Sequence, residues 1–103
     1  MRHQIVLAPE AVDDLAALDA HWRAIVKDAI EEHLRHQPEK VSKTRIKRLR
    51  GIDRPGYRLR TGDIRVFYDV RAGCVEVLGI VPKARASEWL ARWEEENEES
   101  GTL

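Results

Sequence analysis

Three arginines near the middle of the chain have a spacing that could bind an anion. Gly62 and Asp63 suit the two central positions of a type II′ turn, because glycine tolerates the positive φ that the first position needs. In the β-hairpin that this turn predicts, Arg60 lies opposite Arg65, and Arg58 points to the same side of the sheet. Like charges directly opposite each other destabilise a strand pair. The pattern therefore predicts a site for a phosphate or another anion on this face.

The other face of the predicted hairpin is apolar. Tyr57, Leu59, Val66 and Tyr68 alternate with the arginines, so they point together towards a core. Phe67 is the one large apolar side chain of the hairpin that points to the same side as the arginines. An apolar side chain there needs a cover, which either a C-terminal helix or a segment of a partner protein could provide.

The charges of the sequence are unevenly distributed. The 103 residues include 18 Lys and Arg and 18 Asp and Glu, for a formal net charge of zero. Yet the stretch 40–65 holds ten lysines and arginines against two acids. A basic stretch of this kind predicts contact with nucleic-acid phosphates, although it also fits a merely solvated surface. Besides the hairpin arginines, the candidate nucleic-acid contacts are Lys43, Arg45, Lys47, Arg48 and Arg50.

The hairpin is embedded in a pattern of strands and amphipathic helices. Residues 2–7 predict a strand, Pro9 a helix start, and Asp19 the N-cap of a longer second helix. After the hairpin, the apolar run 74–81 predicts a central strand, and residues 87–93 predict a short C-terminal helix. The order β-α-α-β-β-β-α predicts an α+β fold, in which two N-terminal helices pack on a mostly antiparallel four-stranded sheet.

One domain accounts for the chain. We expect residues 1–93 to form it and the acidic segment 94–103 to be disordered, because that segment has few apolar residues to bury. The single cysteine, Cys74, excludes an internal disulfide and fits a packing role. The sequence shows neither a signal peptide nor an apolar run that could span a membrane, so we expect a cytoplasmic protein without a membrane partner.

Most of the chain resembles the RelE/ParE superfamily, the small toxins of bacterial type II toxin–antitoxin systems. The resemblance covers residues 1–93. It rests on Leu-Arg-Gly at 49–51 and Tyr-Arg-Leu-Arg-Thr-Gly-Asp-Ile-Arg at 57–65, followed by the apolar strand at 75–81. The arginine hairpin is more similar to the RelE branch of this superfamily than to the ParE branch. The resemblance implies a RelE-like fold and a cognate antitoxin that covers the sheet and its basic groove.

For the RelE branch, the resemblance implies a ribosome-dependent endoribonuclease that cuts mRNA in the ribosomal A site and inhibits translation. The ribose 2′-hydroxyl attacks the adjacent phosphate, with no metal and no cofactor. Cations must hold the phosphate and stabilise its developing charge, and Arg58, Arg60 and Arg65 match the basic positions of the family. The family places a further basic residue after the last strand, for which Lys83 and Arg85 are the candidates.

The sequence departs from the nuclease pattern near its C-terminal end. Nuclease members place a proton-transferring Tyr after the last strand, but no Tyr follows Val81 here. Three interpretations stay open: a weak nuclease, a nuclease whose acid or base lies elsewhere, and a relative that binds RNA or antitoxin without cutting. The candidate substitutes are the histidines His3, His21, His33 and His36.

A function of another class is also open. A ParE-like toxin would inhibit DNA gyrase instead of cutting RNA, and the missing Tyr favours that alternative.

The arginines could also have a purely structural role, if they pair with acids of the terminal helix. The acidic segment 94–99 could in turn shield them electrostatically.

Overall fold

The structure, a computed structural model, describes the backbone of residues 2–101 and the side chains of residues 2–95. The strands are β1 (Gln4–Leu7), β2 (Ile46–Arg48), β3 (Tyr57–Thr61), β4 (Ile64–Arg71) and β5 (Cys74–Pro82). The helices are α1 (Pro9–Ala17), α2 (Ala20–Leu34) and α3 (Ala86–Gly101), and a 3₁₀ turn (Lys83–Arg85) precedes α3. Within residues 2–101, no helix has the length and apolar content needed to cross a membrane.

The five strands form one sheet in the order β1-β5-β4-β3-β2. β1 and β5 are parallel, and all other neighbours are antiparallel. The α+β class is as predicted, but the sheet has five strands instead of four. The additional strand is β2, in which Ile46 is buried and the other two residues are basic and exposed. Because it has so little apolar alternation, its sequence does not predict a strand.

The predicted hairpin register is confirmed. Arg60 pairs with Arg65 across the β3–β4 turn. Gly62 has a φ of 58°, the left-handed conformation that the turn requires. This position has a second constraint, because a Cβ there would lie 2.6 Å from the ring of Trp22. Trp22, near the start of α2, therefore packs on the turn and helps to position the arginines.

α1 and α2 cover one face of the sheet and form the main core with it. α2 begins as predicted, since the Asp19 carboxylate accepts a 2.8 Å hydrogen bond from the backbone N–H of Trp22. Both layers contribute fully buried side chains, among them Val26, Leu34, Leu59, Val66, Val75 and Val77. Burial of each large aliphatic side chain stabilises the fold by about 1.5–3 kcal/mol. The apolar face of the hairpin thus lies under the helices, as its pattern predicts.

α3 packs on the opposite face of the sheet. Its Trp89 stacks on Phe67, with ring centroids 4.8 Å apart and an interplanar angle of 5°. The indole lies against the backbone of Gly79, where a Cβ would overlap the ring. The indole N–H also donates a 3.1 Å hydrogen bond to the Glu10 carboxylate of α1. The C-terminal helix is therefore the cover that Phe67 requires.

α3 is longer than the sequence predicts. The expected helix ends at Trp93, whereas α3 continues to Gly101. The expected disorder of residues 94–103 stays a prediction. The last part of that segment, residues 102 and 103, lies outside the described residues. Glutamate is a good helix former, so an acidic composition does not end a helix whose first turns are already packed on a sheet.

Candidate functional site

Four cations lie together on the side of the sheet that carries α3. Arg60 pairs with Arg65 across β3 and β4, and Arg58 lies two residues before Arg60 on the same side. β2 adds a fourth cation, because Lys47 pairs with Arg58. We call these four residues the basic face. Their charges come from three neighbouring strands, which lie about 4.8 Å apart.

Arg58 is partly buried in the basic face. Its Nε is shielded from solvent and has no hydrogen-bond partner among the described residues. Burial lowers the pKa of the guanidinium, and the charges of Arg65 and Arg60 lower that pKa further. A buried donor without a partner costs free energy. The surroundings of Arg58 therefore favour the binding of an anion from outside the described chain.

Arg65 is tied to its own turn, whereas Arg60 is exposed. Arg65 is 6% exposed, and its Nη1 donates hydrogen bonds to the carbonyl oxygens of Gly62 (2.7 Å) and Ile64 (3.2 Å). Burial lowers the pKa of Arg65, and the charge of Arg60 lowers it further. Arg65 thus contributes a positioned charge that also holds the turn, and Arg60 contributes an accessible charge beside it.

Another arginine, Arg54, forms ion pairs with two carboxylates on this side of the sheet. It pairs with Asp69 (Nε–Oδ2, 2.6 Å) and with Glu76 (Nη2–Oε1, 2.8 Å). Asp69 also accepts a 2.6 Å hydrogen bond from the N–H of Gly56, which ties the loop before β3 to β4. Arg54 is not among the residues that the sequence patterns single out. The available signal was Asp69, an acid within an apolar strand, because a buried carboxylate needs a partner.

The purely structural role for the arginines is not observed in the described part of the chain. Among the side chains of residues 2–95, no carboxylate forms an ion pair with Arg58, Arg60 or Arg65. That range includes the first acids of α3. The basic face therefore has an excess of positive charge that a bound anion would neutralise.

The five candidate contacts of the basic stretch are dispersed over the surface. Lys47 belongs to the basic face, but Arg48 lies on the other side of β2. The Nη1 of Arg48 donates a 2.7 Å hydrogen bond to the Gly56 carbonyl, and its guanidinium lies 5.0 Å from the ring centre of Tyr57. Strand geometry explains the separation, because neighbouring side chains point to opposite faces. The exposed loop residues of the set are Lys43, Arg45 and Arg50.

The two basic residues after β5 have different surroundings. The N–H of Lys83 donates a 2.7 Å hydrogen bond to the carbonyl of Asp63, which places Lys83 beside the hairpin turn. Arg85 instead lines a groove of about 410 Å³ between α1 and α3, together with Asp14. The structure thus brings Lys83 close to the basic face and places Arg85 elsewhere.

The described residues bring no imidazole or phenol to the basic face. Tyr57 and Tyr68 stack on the core side with ring centroids 5.5 Å apart, and burial raises the pKa of both phenols. The Tyr68 hydroxyl donates a 2.6 Å hydrogen bond to the carbonyl of Pro38. His3 lies 3.3 Å from the carbonyl of Arg35, and the other three histidines are on α2 or directly after it. The same residues contain no group of three His, Cys, Asp or Glu that could hold a metal ion.

A comparison of the sequence with known protein families shows to which family the chain belongs. Residues 5–86 match the family described as ParE toxin of type II toxin-antitoxin system, parDE. This chain belongs to the ParE toxin family. The superfamily predicted from the arginine hairpin is therefore confirmed. No curated protein matches the sequence significantly.

Solved toxin–antitoxin complexes contain the fold of this ParE-family chain. The RelB-RelE antitoxin-toxin complex from Methanococcus jannaschii matches with a TM-score of 0.63 and 23% identity, over 82% of this chain and 96% of that one. The archaeal RelE-RelB complex from Pyrococcus horikoshii OT3 matches with a TM-score of 0.66 and 24% identity, over 82% and 99%. At these identities the likeness concerns the fold alone. The predicted RelE-like fold is thereby confirmed.

Proposed function

We propose that this ParE-family toxin binds RNA on its basic face and cuts translated mRNA in the ribosomal A site. The observation that carries the proposal is Arg58, a partly buried guanidinium without an acidic partner among the described residues and beside two further arginines. A phosphate would supply the missing negative charge. The planar fork of arginine suits this ligand, because it grips a phosphate through two hydrogen bonds.

The proposed reaction depends on charge stabilisation. The 2′-oxygen of the ribose bonds to phosphorus, the bond to the 5′-oxygen breaks, and a 2′,3′-cyclic phosphate and a 5′-hydroxyl remain. Negative charge grows on the phosphate, where Arg58, Arg60 and Arg65 would stabilise it. Because the described Tyr and His side chains lie elsewhere, the 2′-hydroxyl proton would pass to solvent hydroxide and the 5′-oxygen would take one from water. We therefore expect a nuclease that binds RNA but cuts it slowly.

The proposal includes a cognate antitoxin and action in the cytoplasm. The two matched structures are complexes of a toxin with its antitoxin, which supports a partner of that kind here. An antitoxin segment that covers the basic face should carry acidic residues, because the described part of the chain provides no carboxylate that pairs with its three arginines. The ribosome as the place of action follows from the resemblance to the RelE branch.

Inducible expression in a bacterial host tests the proposed function. The wild-type chain should arrest growth and produce discrete cuts in a translated mRNA, mapped by primer extension, and co-expression of the neighbouring reading frame should prevent both effects. Arg60→Gln should abolish both, because it removes a charge that would stabilise the reacting phosphate. Arg60 is exposed, so this substitution should leave the fold intact. Lys27→Gln, at an exposed position of α2, is the matched control. Unchanged toxicity of Arg60→Gln would contradict the proposal.

The match to the ParE family favours a second candidate, inhibition of DNA gyrase. The purified chain should then block DNA supercoiling by gyrase, and expression in cells should leave mRNA intact. The absence of inhibition at a large molar excess of the chain would exclude this candidate.

A further inference from the structure

We propose that the RNA path continues from the basic face over the β2 edge of the sheet into a groove that holds a flanking nucleotide. This inference rests on the proposed RNA binding and adds a second site to it. The groove lies between the end of α2, the loop 35–45 and the start of β2, and its volume is about 330 Å³. Pockets for small ligands begin at about this size.

Arg45 connects the groove to the basic face. It lines the groove, and its carbonyl accepts a 2.8 Å hydrogen bond from the N–H of Arg60, so the two residues are neighbours across the sheet. Arg60 in turn pairs with Arg65. The backbones of these three arginines therefore lie side by side across the strand direction, where neighbouring strands are about 4.8 Å apart, and the last of the three lines the groove. A row of cations can follow the phosphates of a single strand.

The groove offers groups for both parts of a nucleotide. Arg45 and Lys40 provide cations for a phosphate, and the imidazoles of His33 and His36 provide flat rings on which a base can stack. Nε2 of His33 lies 3.7 Å from the carboxylate of Glu32. His36 is exposed at the same groove, so it is the better placed stacking residue.

The occupant is single-stranded RNA. A base can stack on a side chain only when it is not already stacked within a duplex, and a duplex is too wide for a groove of this volume. The strand that reaches the basic face is also the one that the proposed reaction cuts. The groove therefore binds a nucleotide next to the reacting one and helps to place the RNA across the arginines.

Binding of a labelled single-stranded RNA of about nine nucleotides to the full chain, followed by fluorescence anisotropy at low salt, tests this site. His36→Ala should weaken binding about fivefold or more, which is the usual effect of losing one stacked base. Arg45→Gln should also weaken binding, because it removes one phosphate contact. His36→Phe should bind like the wild type, because it keeps an aromatic ring. Lys27→Gln, which removes a cation of α2 outside the groove, should also leave the affinity unchanged.

The same variants separate this inference from the proposed function. Wild-type affinity of both His36→Ala and Arg45→Gln, together with weakened binding in Arg60→Gln, would overturn the groove and leave RNA binding on the basic face. Wild-type affinity of Arg60→Gln as well, or no binding by the wild type, would overturn both. The substituted positions are exposed, so an unchanged circular dichroism melting curve should accompany each result.

Discussion

At the scale of single residues, Arg58 combines a charge that we propose to bind RNA with a cost in stability. Its buried Nε lacks a hydrogen-bond partner in the described structure, and burial lowers the pKa of the guanidinium. Arg58→Met keeps the long apolar stem and removes the charge. We expect a gain of about 0.5–2 kcal/mol in the free energy of unfolding, measured with urea, together with a loss of RNA binding.

Arg54 provides the matched control for this prediction. Arg54→Met removes a guanidinium that pairs with Asp69 and Glu76, so it leaves the buried Asp69 carboxylate without this ion pair. We expect a loss of about 1–3 kcal/mol in the same measurement. If Arg58→Met were as destabilising as Arg54→Met, the guanidinium of Arg58 would have a partner inside the protein, and the anion site would be wrong.

At the scale of elements, Asp14 of α1 completes the hydrogen bonding of β5. Pairing with β1 ends at Val77, and the N–H of Ile80 beyond it donates a 3.0 Å hydrogen bond to the Asp14 carboxylate. Burial raises the pKa of Asp14, although this hydrogen bond opposes the shift. The ionised carboxylate is therefore less favourable in the folded chain than in the unfolded one, and stability falls as the pH rises through its folded-state pKa.

Asp14→Asn should reverse that loss. The amide oxygen can still accept the hydrogen bond from Ile80, but it carries no charge to desolvate. We expect the variant to be more stable than the wild type at neutral pH by up to about 1 kcal/mol, and the difference to vanish below about pH 3, where the carboxyl is protonated in both states. Urea denaturation at the two pH values measures this. A stabilisation that is equal at both would show that charge is not its cause.

The packing of α3 on the sheet depends on a glycine in β5. The Trp89 indole occupies the space where a Cβ of residue 79 would lie, so Gly79→Ala should push α3 away from Phe67. We expect a loss of about 1–3 kcal/mol in the free energy of unfolding and a red shift of the tryptophan fluorescence. In the double variant with Trp89→Leu the two effects should be less than additive, since the smaller side chain leaves room for the methyl group. Full additivity would show that the two positions do not share this contact.

At the scale of the whole molecule, the uneven charge decides how binding responds to salt. The chain has a formal net charge of zero, but the basic face gathers cations from three strands. The logarithm of the RNA affinity should fall linearly with the logarithm of the salt concentration, with a slope of about −0.7 for each phosphate contact. Arg60→Gln should reduce the slope by about one such contact, and Lys27→Gln should not change it. A salt-independent affinity would contradict binding through phosphates.

Much of the fold and part of the site follow from local sequence patterns. The two-residue period of a strand and the glycine of the turn are properties of adjacent residues, so the register of Arg58, Arg60 and Arg65 is predictable from the sequence. β2 is not, because its only apolar residue is Ile46 and its pairing with β3 depends on the conformation of the loop 49–56. The separation of Lys47 from Arg48 follows only once that pairing is known.

The sequence by itself determined the arginine hairpin and its apolar core face, since both are carried by residues close together in the chain. It also determined the RelE/ParE resemblance, since that is carried by short motifs whose order can be read along the chain. The tertiary structure alone decided which charges remain available. Asp69 and Glu76 pair with Arg54, and none of the described carboxylates forms an ion pair with the three hairpin arginines. The tertiary structure also brings Arg45 beside Arg60 at the edge of a groove. Which charge meets which depends on packing between distant segments, and no local pattern encodes it.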